Sequence, residues 1–280
     1  MRPPAGLTGA LRAAGLVEDA PWQTLRGGRS NRLWRVGARV VKLYRPGGHV
    51  SPLFANAPHA EAAVLDHLAG TGLAPRLCGR LPTPAGDCVV YEYEPGASWR
   101  AGPAPVGRLL ARLHALQGPE LEDDPGGAAR LIRQTRAILL ACGGAAARQL
   151  AAQAPRPAGP PLRRLALVHG DAVPGNVIAT PRGPVLIDWQ CPTRGDPCSD
   201  LALFLSPAMQ HLYRGRSLAA AERAAFLAAY GALPTRMRYR ALAPLLHWRI
   251  AAHCLWRARR GAPGYRRAFD LERAALARGV

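Results

Sequence analysis

Lysine is almost absent from this chain. Of 37 basic residues 36 are arginine, and Lys42 stands alone. That position excludes a P-loop, which needs a Gly-Lys step, because Lys42 follows Val41. Asparagine is nearly as scarce, at Asn31, Asn56 and Asn176 only. Acid is short too: 18 Asp and Glu leave a formal charge of +19 over 280 residues. Ala, Gly, Pro and Arg are abundant together, the mark of a GC-rich coding sequence, so the arginine excess does not by itself call for nucleic acid. A position that stays lysine against that drift points to a need for an ammonium rather than a guanidinium. Codon accident is the plain alternative.

Long apolar runs are missing as well. The longest, 137–147, is too short to cross a bilayer. Arg12 interrupts the mildly apolar N-terminus, which argues against a secretory signal. The six cysteines form no C-x-x-C and no Cys/His cluster, and so are expected to be reduced and mostly buried. A cytoplasmic protein with no membrane partner is expected.

Residues 7–17 read as a short amphipathic helix with Thr8 as its cap. Strand-like runs follow at 22–25, 33–36 and 40–44, with glycine turns between them. Helical spacing covers 57–69, and two more strands are expected at 76–79 and 88–93. Pro95-Gly96 then breaks the pattern. Beyond it a helix carries Leu109, Leu110, Leu113 and Leu116, and a long one spans 128–153. A Pro-rich loop feeds a strand at 165–168, and helices fill most of 199–278. The expected fold is α+β: a small antiparallel β lobe, 1–94, before a larger mainly α-helical lobe, 95–280.

The chemistry concentrates at His169-Gly170-Asp171-Ala172-Val173-Pro174-Gly175-Asn176, followed by Ile187-Asp188-Trp189. Phosphoryl transfer needs a carboxylate to orient the attacking hydroxyl and accept its proton, and oxygen ligands to hold Mg²⁺ against a triphosphate. Asp171 suits the first task; Asn176 and Asp188 suit the second. The step of five from Asp to Asn matches the protein-kinase template. An ordinary loop with Asx turns explains Asp171 or Asn176 singly, but not the whole set. Asp188 ends the apolar run Pro184-Val185-Leu186-Ile187, and a carboxylate at such a place invites a cation.

Upstream, Leu25-Arg26-Gly27-Gly28-Arg29-Ser30-Asn31 is a glycine turn whose amides suit a triphosphate; an ordinary hairpin is the plain reading. One strand later stands Lys42, and Glu61 opens the next helix. An ion pair presenting an ammonium to the α/β-phosphates needs that order. A solvated acid at a helix start is the alternative for Glu61.

With these residues in order, the chain resembles the aminoglycoside phosphotransferase and choline kinase-like family, over roughly 20–205. Further matches lie at Val90 to Gly96, Leu113-His114, Gly195-Asp196-Pro197 and Asp200-Leu201-Ala202. The resemblance implies a protein-kinase-like bilobal fold and ATP- and Mg²⁺-dependent phosphorylation of a small-molecule hydroxyl. The nucleotide would lie against Gly27, Gly28, Ser30, Asn31, Lys42 and Glu61, with adenine on the backbone at Glu92, Tyr93 and Glu94. Gly170 replaces the arginine of H-R-D, Asp188-Trp189-Gln190 lacks the Gly of D-F-G, and no A-P-E follows. Small-molecule acceptors are therefore expected over proteins. Gln190 stands where the family often has an acid, which weakens a second metal position. His169 is expected to be structural, and Asp200 to brace the catalytic loop or to cap a helix.

The acceptor is not written in these motifs. Trp248, Trp256, Tyr239 and Tyr265 are expected to pack between helices rather than to form a cage for a cation. Eleven arginines against Asp270 and Glu272 in 236–278 disfavour a polycationic aminoglycoside, unless the patch Glu120, Glu122, Asp123, Asp124 compensates. Choline-, thiamine-, aminoglycoside- and sugar-like acceptors all stay open, as does the oligomeric state. Nucleic acid is not expected as a partner. The alternative is a catalytically idle kinase-like protein whose arginine-rich helices bind nucleic acid or another polyanion.

Overall fold

Alternating apolar residues build the first half of the chain into a two-faced sheet. The computed structural model describes residues 2–25, 30–44, 51–157 and 159–278. Strands β1 (Trp22–Thr24), β2 (Arg32–Val36), β3 (Arg39–Leu43), β4 (Leu77–Thr83) and β5 (Gly86–Glu92) form one antiparallel sheet in the order β1-β2-β3-β5-β4. Side chains of a strand alternate between faces. Trp34, Val36, Val41, Leu43 and Val90 therefore meet Leu7 and Leu11 of helix α1 (Leu7–Ala13) on one face. Val40, Val89 and Tyr91 meet Val64 and Leu65 of helix α2 (Pro58–His67) on the other. Lys42 shares the parity of Val40 and so lies under α2.

Helix α1 is shorter than expected. It ends at Ala13, and the residue before Leu7 is Gly6 in the left-handed region, so Thr8 lies inside the helix rather than capping it. Val17 still joins the small core.

Past the sheet, β6 (Ala97–Ser98) leads into α3 (Pro103–Ala115), β7 (Asp123–Asp124), α4 (Gly127–Cys142) and α5 (Gly144–Ala152). The single helix expected at 128–153 is thus two. Gly143 and Gly144 both take positive φ, 61° and 78°, and a helix cannot run through that conformation. Next come β8 (Ala166–Val168), one 3₁₀ turn at Pro174–Asn176, and the hairpin β9 (Val177–Thr180) with β10 (Gly183–Leu186). Strand β11 (Thr193–Gly195) precedes α6 (Cys198–Leu205), α7 (Pro207–Arg214), α8 (Ala220–Tyr230), α9 (Leu233–Ala258) and α10 (Tyr265–Ala277).

Two short sheets fix the chemistry-bearing turns. Strand β9 pairs with β10 on one side and β6 on the other, tying the hairpin to the segment that follows the large sheet. Strand β11 pairs with β8 and β7, clamping both ends of the 169–192 region. Helix α9 runs through the helical lobe and packs against α4, α6 and α10. Tyr239, Trp248 and Trp256 are buried there, and the Trp248 indole donates to the Leu150 carbonyl at 2.8 Å. These three rings pack between helices, as expected. Among the described residues, no helix is long and apolar enough to cross a membrane.

Candidate active site

The two lobes meet at a cleft of about 440 Å³, and Lys42, Asp171, Asn176 and Asp188 line it together. Lys42, held on β3 and fully buried, places its ammonium 2.9 Å from one Glu61 oxygen and 3.1 Å from the other. It also pairs with Asp188. Burial presses a lysine towards neutrality, but here the charges of Asp188 and Glu61 outweigh it and hold the ammonium above its usual pKa. Glu61 is not a solvated helix-start acid. It is fully buried, accepts the Tyr44 hydroxyl, and takes the Trp189 amide at 3.0 Å. Burial raises its pKa, and Lys42 opposes that rise.

Asp188 owes its aim to its backbone. Its φ of 65° is the only positive value at a non-glycine among the described residues. Asp tolerates that conformation better than most side chains, yet it is strained, and strain of this kind persists where a site needs it. The bend lets the chain leave β10, turn the Asp188 carboxylate onto Lys42, and send the Trp189 amide to Glu61.

The loop carrying Asp171 is held from below. Asp200, at the start of α6, accepts the amides of His169 at 2.8 Å and Gly170 at 2.9 Å. It therefore braces the loop, while Asp196, just before α6, accepts the Cys198 amide at 3.0 Å. His114 adds a third contact to Asp200 at 3.2 Å and meets the Tyr230 hydroxyl at 3.0 Å. His169 Nε2 lies 3.0 Å from the Ile187 carbonyl, so it carries the proton, and Nδ1 accepts the Asp171 amide at 3.2 Å. Burial pushes its pKa down, which keeps the ring neutral. Both nitrogens are engaged, which fits a structural residue and not a base. Gly170 takes φ 80°, and a Cβ there would fall 2.0 Å from the Cys191 carbonyl oxygen. The arginine of a protein kinase does not fit this loop.

Asn176 donates its amide to the Asp171 backbone carbonyl at 2.9 Å and to the carboxylate at 3.1 Å. That turns its carboxamide oxygen away from Asp171. At the inner end of the cleft one ammonium faces the carboxylates of Glu61 and Asp188, and Asp171 lines the same cleft. This excess of negative charge suits a divalent cation. Mg²⁺ takes one or two carboxylates plus phosphate oxygens rather than an all-protein cage. No group of three or more His, Cys, Asp and Glu among the described residues could hold a metal alone.

Gln190 lines the same cleft. Its side-chain oxygen accepts from Asn31 at 2.9 Å, and Asn31 also exchanges hydrogen bonds with Asn56 at 2.7 and 3.1 Å. All three asparagines of the chain therefore serve this region, and only the scarcity of the residue could have flagged Asn56. Ser30 lines the cleft beside Asn31, whereas Gly27 and Gly28 lie outside the described residues.

The segment after β5 is divided. Tyr93 lines the cleft, with the Arg35 guanidinium 4.1 Å over its ring. The Glu92 carboxylate points the other way and accepts Arg76 at 3.0 Å. The amides of Glu92 and Tyr93 donate to the carbonyls of Arg76 and Ala38. The Glu94 carboxyl is mostly buried, 3.8 Å from Arg182, and burial raises its pKa. As side chains, then, Glu92 and Glu94 are not part of the cleft wall.

A family model, that of the phosphotransferase enzyme family APH, matches residues 21–242. The chain belongs to this family. It is a small-molecule kinase, with the kinase-like bilobal fold. A choline/ethanolamine kinase family protein from Mesorhizobium loti is 18% identical, with a TM-score of 0.66 over 97% of this chain and 94% of that one. Choline kinase LicA from Streptococcus pneumoniae is 18% identical, with a TM-score of 0.63 over 95% and 98%. A spectinomycin phosphotransferase, solved with ADP and spectinomycin, is 13% identical, with a TM-score of 0.57 over 97% and 95%. At such identities the likeness speaks for the fold. No curated protein matches the chain in sequence.

Proposed function

We propose that the protein transfers the γ-phosphoryl group of ATP, with Mg²⁺, to a hydroxyl of a small molecule. Residues 1–94 would bind the nucleotide and 95–280 would supply catalysis and the acceptor site. The observation that carries this reading is the convergence of Lys42, Asp188, Asn176 and Asp171 on one cleft, with Glu61 buried against Lys42. Asp171 orients the acceptor hydroxyl and takes its proton. Lys42, steadied by Glu61, offers its ammonium to the α/β-phosphates. The Asn176 and Asp188 oxygens would hold Mg²⁺, which when bound neutralises charge on the phosphates. Ser30 and Asn31, and from sequence alone Gly27 and Gly28, would bind the triphosphate. Adenine would sit beside Tyr93, on the backbone between Glu92 and Glu94.

The test pairs binding with turnover. ATP should raise the melting temperature in the presence of Mg²⁺ and much less without it. A screen of ATP consumption over small hydroxyl compounds should yield at least one acceptor. Stabilisation by RNA in place of Mg–ATP, lost at high salt, would overturn the reading.

A further inference from the structure

The cleft has two unlike walls. The sheet-side wall, beside which adenine is proposed to sit, is apolar, with Leu25, Leu33 and Tyr93. The helical wall carries Arg100, Arg257 and the rings of Tyr213 and Tyr265. Its position follows from packing. Gly175 has no side chain, and a Cβ there would fall 2.2 Å from a Tyr213 ring carbon, so Tyr213 lies against the Asp171–Asn176 loop. Helix α7, which carries Tyr213, packs against that loop and against α10. The Arg257 guanidinium lies 5.2 Å over the ring of Tyr265, the first residue of α10. The Arg100 carbonyl accepts from Arg214, the last residue of α7, at 3.4 Å. Both arginines thus belong to segments packed with the helical lobe, and both line the cleft that Asp171 lines.

Negative charge is missing from that wall. Among the described residues that line the cleft, the only carboxylates are Asp171 and Asp188. Segments 26–29 and 45–50, outside the described residues, contain no Asp or Glu in sequence. The patch at Glu120 to Asp124 does not compensate. Asp123 and Asp124 lie in the β7-β11-β8 sheet, paired with Arg194 and Arg130, and the cleft is lined by neither. A polyamine sugar or a quaternary ammonium would meet guanidinium charge here with nothing to answer its own.

We infer that the acceptor is a small hydroxyl compound that also carries a carboxylate or phosphate, held by Arg257 and Arg100. This rests on the phosphotransferase reading above. Guanidinium groups match planar and tetrahedral oxyanions through paired N–H donors. With the anionic end so held, the acceptor hydroxyl faces Asp171. Its oxygen forms a bond to the γ-phosphorus as the bond from that phosphorus to the β,γ-bridging oxygen breaks. Its proton passes to Asp171, and ADP leaves.

The experiment first measures Mg–ADP affinity by calorimetry. It then titrates two matched sets into the loaded protein: glycerate, glycerol and serinol, and glucose 6-phosphate, glucose and glucosamine. Turnover with Mg–ATP is followed over the same compounds. In at least one set the anionic member should bind and react about tenfold better than its neutral and cationic counterparts. The glycerate set reports a carboxylate, the glucose set a phosphate. Arg257→Gln should raise KM for the favoured anion by about tenfold, with kcat changed less and Mg–ADP affinity retained. Equal or better response to neutral or cationic members in both sets, or no response to any, overturns this inference. So does discrimination that survives in the Arg100→Gln, Arg257→Gln double variant. Failure of Mg–ADP to bind at all would instead bring down the phosphotransferase reading, and this inference with it.

Discussion

Two buried clusters flank the loop that carries Asp171, and they are built to opposite plans. Around Asp200 one carboxylate meets two backbone amides and His114, which in turn meets Tyr230. Every partner is satisfied within the helical lobe. Around Lys42 one ammonium faces two carboxylates, Glu61 and Asp188, from three separate elements. That cluster is electrostatically incomplete and opens onto the cleft, where the Asp188 side chain keeps 28% exposure. A closed cluster holds geometry; an open one leaves charge for a ligand to complete. The difference separates scaffold from site without any ligand being present.

The comparison breaks most visibly if the ammonium is removed. Lys42→Met leaves two carboxylates facing each other in the interior. It should cost about 3–5 kcal/mol of stability and abolish transfer. Adding Glu61→Ala should recover part of the stability, because the charges compensate one another. A melting temperature equal to that of the wild type in Lys42→Met would show that the cluster is not the ion network described.

Asp171→Asn tests the proposed catalytic carboxylate rather than the scaffold. Turnover should fall by about two orders of magnitude or more, with melting temperature and Mg–nucleotide affinity nearly unchanged. Turnover within a few fold of wild type would move the base elsewhere.

Asp200→Asn should act in the reverse manner. One oxygen remains to accept an amide, but the charge and the second acceptor are lost, so stability should drop by about 1–3 kcal/mol. Turnover should fall through displacement of the loop, and osmolytes that restore folding should restore part of it. A purely kinetic loss, with no change in chemical denaturation, would make Asp200 part of the chemistry.

The smallest effect is expected at Gln190→Ala. The Asn31 amide keeps its bond to Asn56, so the loss should be about 1 kcal/mol, with Mg²⁺ dependence unaltered. A shift in Mg²⁺ dependence would return Gln190 to the metal site.

Much of the sheet was legible because β-branched and aromatic residues alternate with period two, and a period-two pattern fixes both strand and face. Lys42 was legible through its rarity. The Asp171, Asn176 and Asp188 set was legible because its spacing is local: five residues on one loop, then the end of the next hairpin. Helix bounds were less so. Nothing in the composition of 128–153 says that Gly143 and Gly144 take positive φ rather than continue the helix. Glu61 was expected as the partner of Lys42, with a surface acid as the alternative, since burial depends on what α2 packs against. The facing of the Glu92 and Glu94 carboxylates was not encoded nearby.

By itself, then, the sequence determined the order of elements, the family-bearing motif and the single ammonium, because each depends on neighbours within a few residues. The tertiary structure alone decided the rest. It closed Lys42 between Glu61 and Asp188 across separations of 19 and 146 residues. It turned Asp200 under the loop, joined Asn31 to Gln190, and brought Arg100 and Arg257 to the same cleft as Asp171. Those contacts arise from packing two lobes together, and the strength of a charge pair depends on distance and burial, which no local pattern carries.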